Sequence, residues 1–233
     1  MSDLLPLRPK KTSTNPFKTL LQFIVVGLFL QGPAYAAEYN LGELARANKL
    51  ELVNRSLEHK KEAPAEAIFL TGAEGDGLAW ITGAEFSEGT IEVELKGKDE
   101  QGRSFVGIAF HGQNDRAFDV VYVRPFNFQS TDPDRRSHSI QYVCLPEYDW
   151  KKLRDTRPGK YESAILPSPD PGSWLKLKIV INGKNLAAFV NGADRPALKI
   201  ELLNNVLRGK VGLWVGNGSE GGFQNLNVIP ASK

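Results

Sequence analysis

Apolar and polar residues alternate strictly along several short segments, and this period constrains the fold more than any other feature. In residues 90–95 (TIEVEL), Ile91, Val93 and Leu95 face one way and the two glutamates between them face the other. Residues 174–181 (WLKLKIVI) repeat the pattern. Because successive side chains of a β-strand point to opposite faces of its sheet, this period predicts half-buried strands.

Turn signals separate these segments. Asn182-Gly183 directly follows residues 174–181 and predicts a hairpin, because both central residues of a type I′ turn need positive φ. The predicted strands are 67–71, 78–82, 90–95, 104–111, 117–124, 140–144, 174–181, 186–190, 209–215 and 223–228. Residues 41–52 approximate helical spacing and are either a short helix or an extended lead-in. Short strands separated by turns, with little helix, are typical of a β-sandwich.

Residues 1–36 have the three parts of an export signal. Four basic residues and one acid precede an apolar stretch from Leu20 to Leu30, and Ala34-Tyr35-Ala36 matches a small-x-small cleavage site. The apolar stretch is shorter than the roughly 20 residues that span a bilayer as a helix, so an uncleaved membrane anchor is the weaker alternative. We therefore expect a secreted or periplasmic protein with no membrane attachment after cleavage.

Charge and cysteine content argue against a nucleic-acid-binding protein and against a fold held together by disulfides. The chain has a formal charge of +2, and residues 1–36 supply +3 of it, which leaves −1 for the remainder. This balance argues against a nucleic-acid partner. Cys144 is the only cysteine, so no intramolecular disulfide is possible. Its place in an apolar strand pattern predicts a small buried hydrophobe rather than a nucleophile.

Two C-terminal runs carry a resemblance to known proteins. Residues 174–192, with Asn182-Gly183 and Phe189-Val190-Asn191-Gly192, and residues 209–226, with the run GKVGLWV, resemble the laminin-G and concanavalin A-like superfamily. Within it, the chain looks most like a bacterial exported domain family linked to 3-keto-disaccharide hydrolysis, which residues 121–128 (VYVRPFNF) also fit. The resemblance implies an all-β, concanavalin A-like jelly-roll sandwich of two antiparallel sheets. We place this domain at residues 67–233, after an N-terminal lead-in at 37–66.

The chain departs from related glucanases where those enzymes carry their catalytic acids. They have E-x-D-x-(x)-E on one strand, whereas residues 90–95 offer only Glu92 and Glu94. Ordinary glycoside hydrolysis needs two carboxyl groups roughly 5 to 10 Å apart. The sequence offers Asp119, Glu147, Asp149 and Glu162 as candidates but does not pair them, so no catalytic residue is assigned.

Strand alternation places aromatic and basic side chains on the sheet face opposite the core. We predict that His111, Tyr122, Arg124 and Trp214 lie together on a concave outer face, where rings stack on sugars and Arg124 donates to hydroxyls. The long insert at 125–170 would form one wall, with Glu147, Tyr148 and Arg154 beside the ligand. The predicted carbohydrate-binding residues are His111, Tyr122, Arg124, Gln141, Trp150 and Trp214.

Four of these residues also have a purely structural alternative. Arg124 could pair with Asp132 or Asp134, and His111 could be a polar residue satisfied within the fold. Trp214 could cover the sheet against the insert, and Trp150 could be the core of that insert.

Metal and cofactor signals are weak. His59, His111 and His138 have no ligand spacing, so no metal site is predicted. Asp132-Pro133-Asp134 could bind Ca²⁺, with a solvated turn as the alternative. The glycines of residues 72–77 (GAEGDG) lack nucleotide-binding spacing. No cofactor is therefore expected.

Three functions remain open from the sequence. The favoured one is carbohydrate recognition by an exported sandwich. The second is a glycoside hydrolase that acts on a (3-keto-)disaccharide, and the third is a cell-surface module that binds another protein. The sequence does not determine the sugar, the linkage or the oligomeric state.

Overall fold

The computed structural model describes residues 36–58, 60, 63–64 and 66–232. The predicted export signal, residues 1–36, lies outside the described residues apart from Ala36 and stays a prediction. Among the described residues, no helix combines the length and the apolar character needed to cross a bilayer.

Fifteen strands and three short α-helices are assigned in the described residues. The strands are β1 (Ala37–Tyr39), β2 (Leu50–Val53), β3 (Leu57–Glu58), β4 (Ile68–Leu70), β5 (Gly77–Phe86), β6 (Gly89–Lys96), β7 (Val106–Asn114), β8 (Ala117–Val123), β9 (Ile140–Leu145), β10 (Glu162–Ser163), β11 (Leu175–Asn182), β12 (Asn185–Val190), β13 (Leu198–Glu201), β14 (Gly209–Val215) and β15 (Gly221–Pro230). The helices are α1 (Leu41–Arg46), α2 (Pro133–Ser137) and α3 (Trp150–Thr156), with a 3₁₀ turn at Pro125–Asn127.

The strands form two antiparallel sheets, which confirms the predicted sandwich. The first sheet, sheet A, has the order β13-β12-β11-β6-β15-β4-β3, with β1 added against β15. The second, sheet B, has the order β10-β9-β8-β7-β14-β5-β2. The apolar sides of the two sheets meet in one core, and Ile91, Val93 and Leu95 of β6 lie in it as the alternation predicts.

The ten predicted strands are all present, with small shifts at their ends. β5 continues to Phe86 through residues predicted as a turn, with Gly83 at a φ of +78°. The possible helix at 41–52 is a helix only over Leu41–Arg46, because the chain then enters β2. The predicted lead-in at 37–66 contributes β1, β2 and β3 to the two sheets, and its boundary with the domain stays a prediction.

The two sheets differ in how their outer faces are used. On sheet A, β11 alternates between buried and partly exposed residues, so its outer face meets solvent. On sheet B, every residue of β8 from Phe118 to Val123 is buried. Sheet B is therefore covered on both sides, and the segment between β8 and β11 contributes to the cover on its outer face.

His111 does not lie on the outer face, so its predicted position is wrong. Its ring is completely buried, with Nδ1 2.9 Å from Asp119 Oδ2 and Nε2 2.7 Å from the carbonyl oxygen of Ser87. The physical reason is a bulge in β7, where the pairing with β8 shifts after Phe110 and His111 itself has a φ of +51°. The bulge breaks the two-residue alternation and turns the ring to the Asp119 side of the sheet.

Asp119 is the acceptor at the centre of a buried polar cluster. Tyr142 Oη donates to Asp119 Oδ1 at 2.6 Å, and Asn204 Nδ2 donates to Oδ2 at 3.1 Å. Tyr142 Oη in turn accepts from the Leu203 amide at 3.1 Å. The cluster therefore fixes β9 and the chain after β13 to the same carboxylate as His111.

Cys144 lies buried beside this cluster, in agreement with its predicted role. Burial, together with the nearby Asp119 carboxylate, raises the pKa of the thiol to about 12. A thiol that stays protonated is a poor nucleophile.

We predict that removing the Asp119 carboxylate destabilises the protein strongly. Asp119→Ala leaves the buried groups of His111 and Tyr142, and the half-buried amide of Asn204, without their acceptor, and such a loss costs about 3–5 kcal/mol. Urea unfolding followed by tryptophan fluorescence measures it. Asp155→Ala, which removes an exposed partner of Lys151, is the control and should change stability little. Equal stability of the two variants would contradict this account.

We also predict that Cys144 resists alkylation in the folded protein. Iodoacetamide at pH 8 should label the thiol slowly in buffer and rapidly in denaturing urea, because only unfolding exposes it and restores its ordinary pKa. Mass spectrometry counts the label. Fast labelling of the native protein would show that the thiol is accessible and ionised.

Candidate functional site

A row of directly paired residues crosses the outer face of sheet B. The pairing of β14, β7, β8, β9 and β10 sets five residues side by side, in the order Trp214, Gly107, Tyr122, Gln141 and Glu162. Directly paired residues of adjacent strands point to the same face. The row therefore brings two aromatic rings, an amide and a carboxylate together on rigid strands.

Gly107 allows the two rings of the row to meet. The ring centroids of Trp214 and Tyr122 are 5.0 Å apart, although their strands lie on either side of β7. A Cβ atom at position 107 would lie 2.6 Å from the Tyr122 Cα and Cβ atoms and 2.3 Å from the Val121 carbonyl oxygen. Phe105 packs edge-on against Tyr122, with centroids 6.2 Å apart, and extends this aromatic wall.

Arg124 ties the aromatic wall to the polar part of the row. Its Nη2 donates to Tyr122 Oη at 2.7 Å and also to Gln141 Oε1, and its Nη1 donates to the His138 carbonyl at 2.9 Å. Tyr122 Oη donates to Gln141 Oε1 at 2.8 Å. Burial raises the pKa of Tyr122 to about 12 although the Arg124 charge acts to lower it, so the hydroxyl stays protonated.

Glu162 supplies negative charge beneath the same wall. Arg154 of α3 donates to both of its oxygens, from Nε at 3.1 Å and from Nη2 at 2.7 Å. Arg124 Nη1 lies 4.0 Å from Glu162 Oε2, and His138 Nδ1 lies 2.8 Å from the same oxygen. One buried carboxylate thus holds β8, α3 and the end of α2 in place.

Asp76 lies on the opposite rim, in the loop before β5. Arg55 fixes this loop, because its Nη2 donates to the carbonyls of Gly75 at 2.7 Å and Gly216 at 3.0 Å. Burial raises the pKa of Asp76 above its usual range, and the nearby Trp214 indole N–H and the Arg55 charge oppose this shift. The carboxyl therefore stays protonated to a higher pH than an ordinary aspartate.

A cavity of about 610 Å³ lies between these walls. Trp214, Tyr122 and Arg124 line it from the sheet, and Trp150 and Arg135 line it from the helices. Asn127, Phe126 and Asp149 also face it. Such a volume falls in the range of small-molecule sites.

Two buried polar atoms of the cavity walls lack partners among the described residues. The Trp214 indole Nε1 makes no hydrogen bond of good geometry among the described residues, although the Asp76 carboxyl lies near enough for this N–H to lower its pKa, and no donor reaches Asn127 Oδ1. Both side chains are at least nine-tenths buried. Because an unpaired buried donor or acceptor costs about 1–3 kcal/mol, these two atoms are available to a ligand that offers both an acceptor and a donor.

The structure brings four of the six predicted binding residues together at this cavity. They are Tyr122, Arg124, Trp150 and Trp214. Gln141 lies directly behind them, completely buried, and its Nε2 has no partner among the described residues. His111 lies elsewhere, in the Asp119 cluster. Their role in binding stays a prediction.

The structural alternatives for these residues are also decided. Arg124 approaches Glu162 rather than Asp132 or Asp134. Trp150 has an exposed fraction of 49%, so it is not the core of the insert, and its ring lies 5.3 Å from the Arg154 guanidinium carbon. Trp214 is 5% exposed and both covers the sheet and lines the cavity.

Several residues of the site were not predicted from the sequence. Asp76 lies in the glycine-rich turn 72–77, and its acidic side chain between glycines was the only signal for a rim position. Asn127 and Phe126 lie in the run 121–128 quoted for the resemblance, where strand alternation no longer applies. Their positions depend on the 3₁₀ turn at Pro125–Asn127.

The acidic candidates for catalysis are dispersed. Asp119 is in the core, Glu147 pairs with Lys152 at the surface, and Glu162 is held by Arg154. Asp149 caps α3 by accepting from the Lys152 amide at 2.7 Å, and it lines the cavity together with Asp76.

Metal ligands are not grouped in the part of the chain that the structure describes. No set of three or more His, Cys, Asp or Glu side chains is placed to hold an ion there. Asp132 caps α2, with Oδ1 accepting from the Asp134 amide at 2.9 Å. Binding of Ca²⁺ by Asp132 and Asp134 stays a prediction that nothing in the structure tests.

No family model matches this chain, and no curated protein matches it by sequence. Solved structures do match its fold. A carbohydrate-binding module of family 66 from Bacillus subtilis is 17% identical, with a TM-score of 0.54, over 77% of this chain and 94% of the module.

Two further structures have the same sandwich. The exoplasmic/lumenal domain of VIP36, in a Ca²⁺- and Man3GlcNAc-bound form, is 11% identical, with a TM-score of 0.54, over 79% of this chain and 85% of that domain. A protein described as a native glycosidic hydrolase is 12% identical, with a TM-score of 0.55, over 85% of this chain and 97% of its own. At these identities the likeness establishes the fold alone.

We predict that a methyl group at position 107 disrupts the aromatic wall. Gly107→Ala forces its Cβ against the β8 backbone, and such overpacking costs about 1–3 kcal/mol. Urea unfolding measures the loss, and the near-ultraviolet circular dichroism of the Trp214–Tyr122 pair should change with it. Gly172→Ala is the control, because a Cβ there meets only Asp170 Oδ1 at 3.9 Å. A Gly107→Ala variant as stable as this control would refute the packing argument.

Proposed function

We propose that this protein is an exported carbohydrate-binding sandwich and that the cavity on sheet B holds the sugar. The observation that carries the proposal is the unpaired Trp214 N–H and the unpaired Asn127 oxygen beside an aromatic wall. A sugar hydroxyl both accepts and donates hydrogen bonds, so one ligand class satisfies both atoms. Sugars also present C–H faces that pack on aromatic rings.

The charges of the cavity add orientation to this binding. Glu162 pairs with Arg154 at 2.7 Å and lies 4.0 Å from Arg124, so its single negative charge offsets only one of these two guanidinium charges. No carboxylate of the described residues lies within ion-pair distance of Arg135, which also lines the cavity. Asp76 faces the cavity from the opposite rim. Donors at one end and an acceptor at the other orient a polyhydroxylated ligand across the row.

The fold neighbours support the same ligand class. One is described as a carbohydrate-binding module, and another is described with a mannose-containing glycan bound. Export to the periplasm or beyond, implied by residues 1–36, would place the cavity where extracellular glycans are found.

A glycoside hydrolase is the second candidate. Asp76 and Asp149 line the same cavity, and the raised pKa of Asp76 suits a carboxyl that donates a proton. A (3-keto-)disaccharide, as the family resemblance implies, is the substrate class to test first.

Trp214→Phe tests whether the Trp214 indole N–H binds the sugar, because the substitution removes this donor and keeps an aromatic ring. Glycan-array screening of the wild type identifies a ligand, and calorimetry then measures affinity. We expect Trp214→Phe to bind about three- to tenfold more weakly, which corresponds to one neutral hydrogen bond. Trp150→Ala should also weaken binding, through lost ring contact.

Val206→Ala is the matched control for Trp150→Ala. Val206 is 50% exposed, almost the same fraction as Trp150, and lies outside the cavity. No glycan binding by the wild type would overturn the proposal and favour a protein-interaction module. Unchanged affinity in both Trp214→Phe and Trp150→Ala would also overturn it, because the glycan would then bind outside the sheet B cavity.

The same ligands separate binding from catalysis. Product release from a bound glycan, lost by orders of magnitude in Asp76→Asn or Asp149→Asn with binding retained, would establish the hydrolase. Binding without product release would establish a recognition module.

A further inference from the structure

A second aromatic pair spans the outer face of sheet A, on the opposite side of the sandwich. Gly222 of β15 pairs with Phe69 of β4 on one side and with Lys96 of β6 on the other. Trp174 precedes Leu175, which pairs with Leu95, so Trp174 lies beside Lys96. The transverse order is therefore Trp174, Lys96, Gly222 and Phe69.

The glycine of this row has the same effect as Gly107 on sheet B. A Cβ atom at position 222 would lie 2.5 Å from the Phe69 ring. Because Gly222 has no Cβ atom, the Phe69 ring lies over β15 and contacts Trp174 edge-on, with the ring centroids 6.1 Å apart. Trp174 is only partly buried, so part of its ring remains open to a ligand.

A cavity of about 450 Å³ lies at this aromatic pair. Three lysines and one acid line it, namely Lys60, Lys96, Lys98 and Glu220. Glu220 binds two of the ammonium groups, that of Lys60 and, at 3.1 Å, that of Lys98. Burial acts to raise the pKa of Glu220, but its bonds to these lysines outweigh burial and lower it, so this carboxylate is ionised at neutral pH.

Lys96 supplies positive charge that the cavity does not neutralise. Within the described part of the chain, no carboxylate lies within 4.0 Å of its Nζ. Outside the cavity lining, Glu58 lies 3.9 Å from Lys60 and Glu100 lies 3.5 Å from Lys98, and Asp170 is near enough for the Lys96 charge to lower its pKa. Lys96 is therefore the one lysine of the cavity without an ion-pair partner among the described residues, and it lies beside the partly exposed Trp174 indole. A ring that packs on the indole and an anionic group that meets Lys96 would complete the site.

We propose that this cavity is a second saccharide site, separate from the one on sheet B, and that its ligand is an acidic sugar carrying a carboxylate or sulfate group. The arrangement would let one molecule hold glycan on both faces of the sandwich, and engagement of two sites on one polymer increases the overall affinity.

Binding of tetragalacturonate and of a heparin-derived tetrasaccharide tests the proposal, with maltotetraose as the neutral counterpart. Chemical-shift mapping of the amides locates each ligand, and calorimetry gives the affinity. We expect at least one acidic ligand to shift resonances around Gly222 and Lys96. Binding of tetragalacturonate would show that carboxylates suffice, and binding of the heparin fragment alone would show that sulfate groups are needed, because that fragment carries both. Raising the salt concentration should weaken this binding.

Variants on the two faces separate the sites. Lys96→Gln and Trp174→Leu should each weaken the acidic ligand at least fivefold. Lys178→Gln, on the same face but paired with Glu92 outside the cavity, is the matched control for Lys96→Gln. Trp214→Phe changes the sheet B cavity and should leave binding at the sheet A cavity unchanged. A wrong proposal for sheet B would therefore be distinguishable from a wrong proposal for sheet A.

Three results would overturn the proposal. One is that neither acidic ligand shifts the sheet A resonances at millimolar concentration. Another is that Lys96→Gln and Lys178→Gln bind equally well, and the third is that maltotetraose binds there as tightly as the acidic ligands.

Discussion

Sheet B presents apolar side chains on both faces, and the position of the cavity follows from how the outer face is covered. Strands β7, β8 and β9 are buried almost throughout, so water must be excluded from the outer side as well as from the core. Trp80 and Phe118 pack edge-on over one end of that face, with centroids 5.6 Å apart. At the other end, α2, α3 and the 3₁₀ turn contribute side chains but leave about 610 Å³ uncovered. The cavity is thus the part of the outer face of sheet B that these side chains do not cover.

Buried carboxylates fix the chain around this sheet on both of its faces. Glu162 holds Arg154 and His138 on the outer side, and Asp119 holds His111 and Tyr142 on the inner side. Each carboxylate is satisfied by residues of different structural elements, and losing one partner would leave a buried charge without compensation in low-dielectric surroundings. Rigid support of this kind keeps Tyr122 and Trp214 at a fixed spacing, which a site that recognises ring shape requires.

Glycines in the strands leave room for aromatic side chains to pack closely against the sheets. Gly107 admits the Trp214–Tyr122 contact, Gly222 admits the Phe69 ring, and Gly212 and Gly112 lie under Trp80, whose ring would meet a Cβ at 2.6 and 2.5 Å. A glycine within a strand normally weakens that strand. At these positions, the close packing of the neighbouring aromatic ring offsets this cost. The same arrangement on opposite sheets produces an aromatic wall beside a cavity on each face of the sandwich.

Local sequence patterns were enough to predict the ten principal strands and the sandwich class, because the two-residue alternation and the turn residues act over a few neighbouring positions. These patterns also placed Tyr122, Arg124 and Trp214 on one face, since these residues lie in regular strands where the two-residue period holds. Tertiary structure decided the rest. The five short strands β1, β2, β3, β10 and β13 depend on partners distant in sequence. The β7 bulge moved His111 inward, and the packing of the insert set Glu162 against Arg154 and Asn127 beside Trp214, because ion pairs and loop positions depend on contacts that no local period encodes.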